Sequence, residues 1–153
     1  MCGIIAILGC KDPKASRARA VELATRIRHR GPDWSGYHVQ GNNVFAHERL
    51  AIVDVQNGAQ PLFNEDKSIV LVVNGEIYNH KDIEATVLKG DHKFATQSDC
   101  ECIVHLYEEK GNDFVNELSG DFAFVVSKGD TYLAARDPIG VCPMYIGYAA
   151  DGA

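Results

Sequence analysis

Short apolar runs rich in β-branched residues recur along the chain, none long enough for a buried helix of its own. Gly3–Leu8, Val44–Ala46, Leu50–Val53, Ile69–Val73, Phe122–Val126, Tyr132–Ala135 and Met144–Tyr148 read as strands. Turn residues separate several of them, among them Gly41-Asn42-Asn43, Asn64-Glu65-Asp66 and Lys128-Gly129-Asp130. Phe122–Val126 and Tyr132–Ala135, joined through Ser-Lys-Gly-Asp-Thr, predict an antiparallel hairpin.

Three stretches switch to helical spacing. Ser16 to Arg28 places Ala20, Ala24 and Ile27 on one face and stops at Gly31-Pro32. His80 to Leu88 carries Ile83 and Val87 and stops at Gly90. The third opens on Ser98-Asp99-Cys100-Glu101, which matches the S-x-x-E capping box, presents Cys102, Ile103 and Leu106, and closes at Gly111. More strands than helices, with hairpins among them, predict an α+β fold with mostly antiparallel sheets. At 153 residues there is chain for one domain and a substantial core.

Composition narrows the partners. A formal net charge of −6 argues against nucleic-acid and anionic-membrane surfaces, both of which want a basic stripe. No apolar run approaches the ~20 residues of a membrane span, and none resembles a signal peptide. The five cysteines (Cys2, Cys10, Cys100, Cys102, Cys142) form no CxxC pair, so a reducing cytoplasmic setting is the simplest expectation. The six histidines are scattered without HExxH or paired Cys/His spacing, so no metal site is expected. Neither a GxxxxGK[ST] loop nor an SGGxDS-type pyrophosphate loop is present, so nothing here is built to handle ATP.

Candidate chemistry starts at Cys2. Removing Met1 leaves a thiol and a free α-amino group on one residue, with ordinary pKa values of about 8.5 and ~7.7–8.0, so that one residue supplies nucleophile and base. On its own, Met-Cys reads equally as a cysteine that happens to follow the initiator. Four further segments also have plain structural readings. Arg49, before an apolar run, suits either a salt bridge or a bidentate carboxylate clamp. Asn74-Gly75 reads as a type I′ turn, or as a side-chain amide beside an unhindered N–H, which is what an oxyanion hole needs. Asp99, in the first turn of a helix, needs no function beyond the helix dipole. His29-Arg30-Gly31-Pro32-Asp33 reads as a helix end.

Taken together, the motifs carry a resemblance that covers essentially the whole chain. They are Met-Cys-Gly-Ile at the start, His-Arg-Gly-Pro-Asp at 29–33, Arg-Leu-Ala-Ile-Val-Asp at 49–54 and Gly-Ala-Gln-Pro at 58–61. Asn-Gly-Glu-Ile-Tyr-Asn at 74–79, Ser-Asp-Cys-Glu at 98–101 and Ala-Arg-Asp-Pro-Ile-Gly at 135–140 follow in order. The chain resembles the glutaminase domain of the class II (N-terminal nucleophile) glutamine amidotransferases, and among these the asparagine synthetases most closely. Glucosamine-6-phosphate synthase and the first purine-pathway amidotransferase share the N-terminal cysteine and the Asn-Gly pair and stand as alternatives. A non-catalytic glutamine-binding module is a third reading.

The resemblance implies a four-layer αββα sandwich in which two antiparallel sheets pack between helices. It implies L-glutamine as substrate, Cys2 as nucleophile, and Asn74 with the Gly75 N–H as oxyanion hole. Arg49 would hold the substrate α-carboxylate, flanked by the backbone of Leu50 and Ile52, while Asp99 and the Glu76 region would receive the α-ammonium. Members of that family continue into a C-terminal synthetase domain that uses ATP and magnesium. The expectation is therefore a domain spanning residues 1–153 with no cofactor of its own, excised from a longer chain, with a homodimer left open. Asp137 and Pro138 match a family motif without a physical role beyond a turn.

Overall fold

In a computed structural model the structure describes residues 1–51, 54 and 56–148. Two antiparallel sheets form its centre. The first has the order β1 (Gly3–Ile7), β3 (Asn43–Arg49), β2 (Trp34–Gln40). The second has the order β4 (Leu62–Phe63), β5 (Ile69–Ile77), β6 (Gly120–Lys128), β7 (Thr131–Arg136). Helix α1 (Pro13–Ile27) covers the first sheet. The second is covered by α2 (His80–Asp82), which continues as a π-helical turn (Ile83–Val87), and by α3 (Cys102–Lys110). A 3₁₀ turn, Asp99–Glu101, leads into α3.

Period-two alternation sorts the strand residues into three apolar seams. Ile5 and Ile7 of β1 with Val44 and Ala46 of β3 meet Ala20 and Ala24 of α1. Ile4, Ala6 and Phe45 face Val70, Val72 and Val125 across the two sheets. On the far side of the second sheet, Ile69, Leu71 and Val73 with Phe122, Phe124 and Val126 pack on Ile103, Leu106 and Phe114. Helix, sheet, sheet, helix is the resulting order of layers, as expected. Phe114 is fully buried and stacks on Phe124 at 5.8 Å, so truncating it to alanine costs about 3–5 kcal/mol.

Several elements differ from the sequence-based expectation. The run Val44–Ala46 lies inside a longer strand, and of the run Leu50–Val53 the described residues Leu50 and Ala51 are not in a strand. β3 runs from Asn43 through the polar His47-Glu48-Arg49, and Leu50 and Ala51 lie beyond it. Burial of these polar residues is possible because each is partnered: Glu48 accepts from Ser35 and Tyr37, and His47 bonds the Val73 carbonyl at 3.1 Å. Ile52 and Val53 lie outside the described residues. The strand expected over Met144–Tyr148 is irregular, with Tyr145, Ile146 and Tyr148 exposed. Strand β2 was hidden by its polar alternation, Ser35, His38 and Gln40 among its residues.

Helix α1 begins at Pro13 rather than Ser16, because the Asp12 carboxylate caps the N–H groups of Lys14 and Ala15. The capping box at Ser98 forms only half. Ser98 Oγ accepts from Cys100 N, but the buried Glu101 reaches past it to the N–H groups of Ala95 and Thr96, at 2.6 and 2.7 Å. Glu101 thereby ties the incoming loop, residues 88–98, to the start of α3.

Candidate active site

One cleft of about 280 Å³ opens where the residues just before β1, the end of β3, the second half of β5 and the 3₁₀ turn before α3 meet. It is lined by Cys2, Arg49, Leu50, Asn74, Gly75, Glu76 and Asp99 together with Gln60, Tyr78 and Asp121. Every site residue read from the sequence is therefore here except Ile52, which lies outside the described residues. The volume suits a ligand of amino-acid size, just below the roughly 300–1,000 Å³ typical of ligand pockets.

Cys2 precedes β1 and is half-buried; its sulfur accepts from the Leu50 N–H at 3.4 Å. Its carbonyl oxygen accepts from Arg30 Nε at 3.0 Å. The His-Arg-Gly-Pro-Asp segment is thus more than a helix end. Arg30 holds the nucleophile's backbone, and Asp33 bonds on both sides of Leu50, donating from its N–H to the Arg49 carbonyl and accepting from the Ala51 N–H. Gly31 is required there, since a Cβ would stand 2.2 Å from the Glu48 carbonyl oxygen.

Arg49, buried at the end of β3, donates from Nη2 to the Asp54 carbonyl at 2.6 Å. Gly58 leaves room for that guanidinium: a Cβ would lie 2.7 Å from Nη2. The Asp54 carboxylate in turn accepts from the Gln97 N–H, two residues before Asp99, and this bond holds its pKa below the usual carboxylate range. The two ends of the cleft are joined through this loop.

Asn74-Gly75 is not a turn. The pair lies inside β5, opposite Ala123 and Phe122 of β6. On an antiparallel strand, alternate residues direct their N–H and C=O to the same edge. On the outer edge of β5, β4 pairs with Val70 and Leu71 and reaches no further. At Val73 the Gln60 side chain takes over, its Oε1 accepting from the Val73 N–H at 2.8 Å and its Nε2 donating to the carbonyl at 3.1 Å. At Ile77 the Asp99 carboxylate accepts the N–H at 2.6 Å. Between these two, on the same edge, the Gly75 N–H faces the cleft. Gly75 has φ 156° and a Cβ would be 2.2 Å from the Asp121 carbonyl oxygen, so only glycine fits. Asn74 is 4% exposed and its Oδ1 is a buried atom with no hydrogen-bond partner.

Three carboxylates (Glu76, Asp99, Asp121) and the Arg49 guanidinium thus share the cleft with the half-buried Cys2, while the buried Cys100 and Cys142 also line its wall. The Cys100, Cys102 and Cys142 thiols are pushed up by burial and by neighbouring aspartates, and stay protonated. The opposite wall owes its shape to Asp137, whose carboxylate gathers the N–H groups of Gly140, Val141 and Cys142 at 2.6, 2.8 and 2.9 Å. Those bonds hold its pKa below the usual carboxylate range. Arg30, Gln60 and Asp137 had no role in the sequence reading. All three lie in quoted motifs, and their work is done through backbone groups, which sequence patterns do not display.

A family model described as the glutamine amidotransferase domain matches residues 1–153. The chain belongs to that family. This amidotransferase domain is 56% identical over 155 residues to an asparagine synthetase (glutamine-hydrolyzing) of Oryza sativa subsp. japonica, covering 99% of this chain and 26% of that one. It is 55% identical, with the same coverage, to an asparagine synthetase (glutamine-hydrolyzing) of Arabidopsis thaliana. The chain thus spans about a quarter of the length of the curated relatives it matches. A solved structure of the allosteric regulatory enzyme of purine biosynthesis superimposes with a TM-score of 0.54 at 25% identity, over 67% of this chain and 25% of that one. Among the described residues, no helix is long and apolar enough to cross a membrane.

Proposed function

We propose that this domain hydrolyses L-glutamine to glutamate and ammonia. The ammonia then serves, in a longer parent enzyme, to make asparagine from aspartate and ATP. The observation that carries this reading is the meeting of Cys2, Arg49, the Asn74-Gly75 pair and Asp99, from four separate segments, around one cleft. Identity above 50% to glutamine-hydrolyzing asparagine synthetases favours that parent over the purine-pathway enzyme, which stands at 25%.

Glutamine is a zwitterion at one end and a neutral amide at the other. Arg49 binds its α-carboxylate, and Asp99 with Glu76 its α-ammonium, each charged hydrogen bond contributing about 1.5–3 kcal/mol. That anchoring delivers the amide to the Cys2 sulfur and turns binding into orientation. Once Met1 is removed, the α-amino group of Cys2 takes the thiol proton. The thiolate forms a C–S bond to the amide carbon, and the Gly75 N–H and the Asn74 side-chain N–H stabilise the resulting oxyanion. The ammonium returns its proton to the departing nitrogen, the C–N bond breaks, and ammonia leaves a thioester. Water, deprotonated by the same amine, attacks the thioester and releases glutamate.

No cofactor takes part in these steps; ATP and magnesium belong to the proposed C-terminal synthetase part, and the cytoplasm is the proposed location. The exposed Ile139, Tyr145, Ile146 and Tyr148, next to the cleft wall at Val141 and Cys142, support a covering domain there.

The test is intact mass before and after 6-diazo-5-oxo-L-norleucine, with glutamate release measured on the same sample. Loss of one methionine, one adduct mapped to Cys2 and glutamate turnover are expected. A processed Cys2 that neither labels nor turns over overturns the reading in favour of a binding module.

A further inference from the structure

Away from the cleft, beside the loop that leads to Asp99, four side chains from three segments converge: Glu65 between β4 and β5, His92 in the 88–98 loop, and His105 and Glu108 of α3. One ligand atom from each lies within 4.8 Å of all the others. We propose that Glu65, His92, His105 and Glu108 form a site for one divalent transition-metal ion of the zinc class.

The first support is the spacing. Four ligands at about 2.0–2.1 Å in a tetrahedron stand about 3.3 Å from one another. Glu65 Oε1 is 3.5 Å from His92 Nδ1, and Glu65 Oε2 is 3.7 Å from His105 Nδ1. These separations are too long for hydrogen bonds and need only slight contraction around an ion.

The second is His105 itself. It is fully buried, and both ring nitrogens have no hydrogen-bond partner. A buried imidazole in that condition is costly unless something takes its lone pair. On α3 it lies three residues before Glu108, hence on one face with it.

The third is the outer layer. A metal-binding imidazole characteristically gives its other ring nitrogen to a carboxylate, and ligating carboxylates are themselves held by hydrogen bonds. His92 Nε2 is 2.9 Å from Glu109 Oε1, leaving Nδ1 turned to Glu65. Glu65 accepts from the Lys93 N–H at 2.8 Å, and Glu108 from Asn64 Nδ2 at 3.2 Å. Phe94 packs on the His105 ring at 4.5 Å and keeps that side dry.

Two neutral imidazoles and two carboxylates neutralise a dication, and that donor set suits zinc rather than calcium or magnesium. Positions 65, 92, 105 and 108 have no recognisable metal spacing, because the fold and not a local motif assembles them. Bound there, the ion clamps the 88–98 loop, which has no regular secondary structure, onto α3, whose preceding 3₁₀ turn carries Asp99.

The test titrates the chelator-stripped full chain with Zn²⁺ by calorimetry and with Co²⁺ by absorption. One equivalent of Zn²⁺ is expected, with a tetrahedral Co²⁺ visible spectrum lacking the near-ultraviolet thiolate band. Glu109→Gln weakens binding roughly 10–100-fold, as loss of an outer partner does, and His92→Gln by more than about 100-fold. Zn²⁺ also slows amide exchange across residues 88–98. A thiolate band, or Zn²⁺ affinity unchanged in His92→Gln, assigns the ion to the cleft cysteines and overturns the proposal. No binding by the wild-type chain overturns it too, whatever the variants do.

Discussion

Acidification from pH 7 to pH 4 drives a proton toward His47, which sits between the two sheets with no exposed surface. Burial pushes its pKa down from 6.5 to about 4; the Val73 carbonyl opposes this and Arg49 adds to it. In the folded protein Nε2–H donates to Val73, so the ring is neutral at pH 7. Between about pH 6.5 and 4 the unfolded chain binds this proton and the folded one does not, so stability rises with pH across that window. The loss therefore begins below the unfolded pKa and is complete below the folded one. At 1.36 kcal/mol per pH unit, the interval from 6.5 to about 4 corresponds to about 3 kcal/mol, a large share of the 5–15 kcal/mol of a typical domain. Urea unfolding of wild type and His47→Gln at half-unit steps from pH 7.5 to 4 measures it. The variant keeps an N–H for Val73 but cannot titrate, so its baseline shifts while its pH slope flattens. Carboxylates such as Asp54 and Asp137 act at lower pH in both proteins and cancel in the difference. Parallel wild-type and variant curves between pH 6.5 and 4.5 refute this reasoning.

Asn74→Ala lowers glutamine turnover by about 10²–10³, the usual cost of one oxyanion donor, and steady-state glutamate release checks it. Arg49→Lys keeps the charge but loses the planar fork, so KM for glutamine rises more than kcat falls in the same assay. Asp137→Asn surrenders part of its grip on three N–H groups; hydrogen exchange at Gly140, Val141 and Cys142 accelerates, and unchanged protection counts against that role. Gly75→Ala prevents native packing against Asp121, read as a large drop in melting temperature; a variant as stable as wild type contradicts the 2.2 Å clash.

Elements whose apolar residues follow a single period were legible before the fold was known: β1, β5, the hairpin of β6 with β7, and the buried face of α3. What escaped was structure held by polar side chains against backbone. β3 passes through His47, Glu48 and Arg49, and the burial of the first two depends on Val73, Ser35 and Tyr37, which are distant in the chain. The cleft residues could be named because they sit in motifs, but Asn74-Gly75 alone pointed to a turn. Only the ladder to β6 shows that the strand runs straight through it. The His92 and His105 pair lacked any local signature, and Met144–Tyr148 had strand composition without a neighbouring strand to pair with among the described residues.

The outer edge of β5 has a further meaning. Next to Leu71 stands a strand, next to Val73 an amide side chain imitating one, and next to Ile77 a carboxylate. Among the described residues, the Gly75 N–H is the group of this row left open toward the cleft, its carbonyl accepting from the Cys100 thiol at 3.6 Å. The carbonyl of a bound glutamine amide would occupy the place that a carbonyl of the absent strand would fill. On the proposed function, substrate recognition at this point is sheet completion by a single residue, and the surrogates at Val73 and Ile77 already occupy the neighbouring positions of the edge. A gap one hydrogen bond wide suits a side-chain amide rather than another strand.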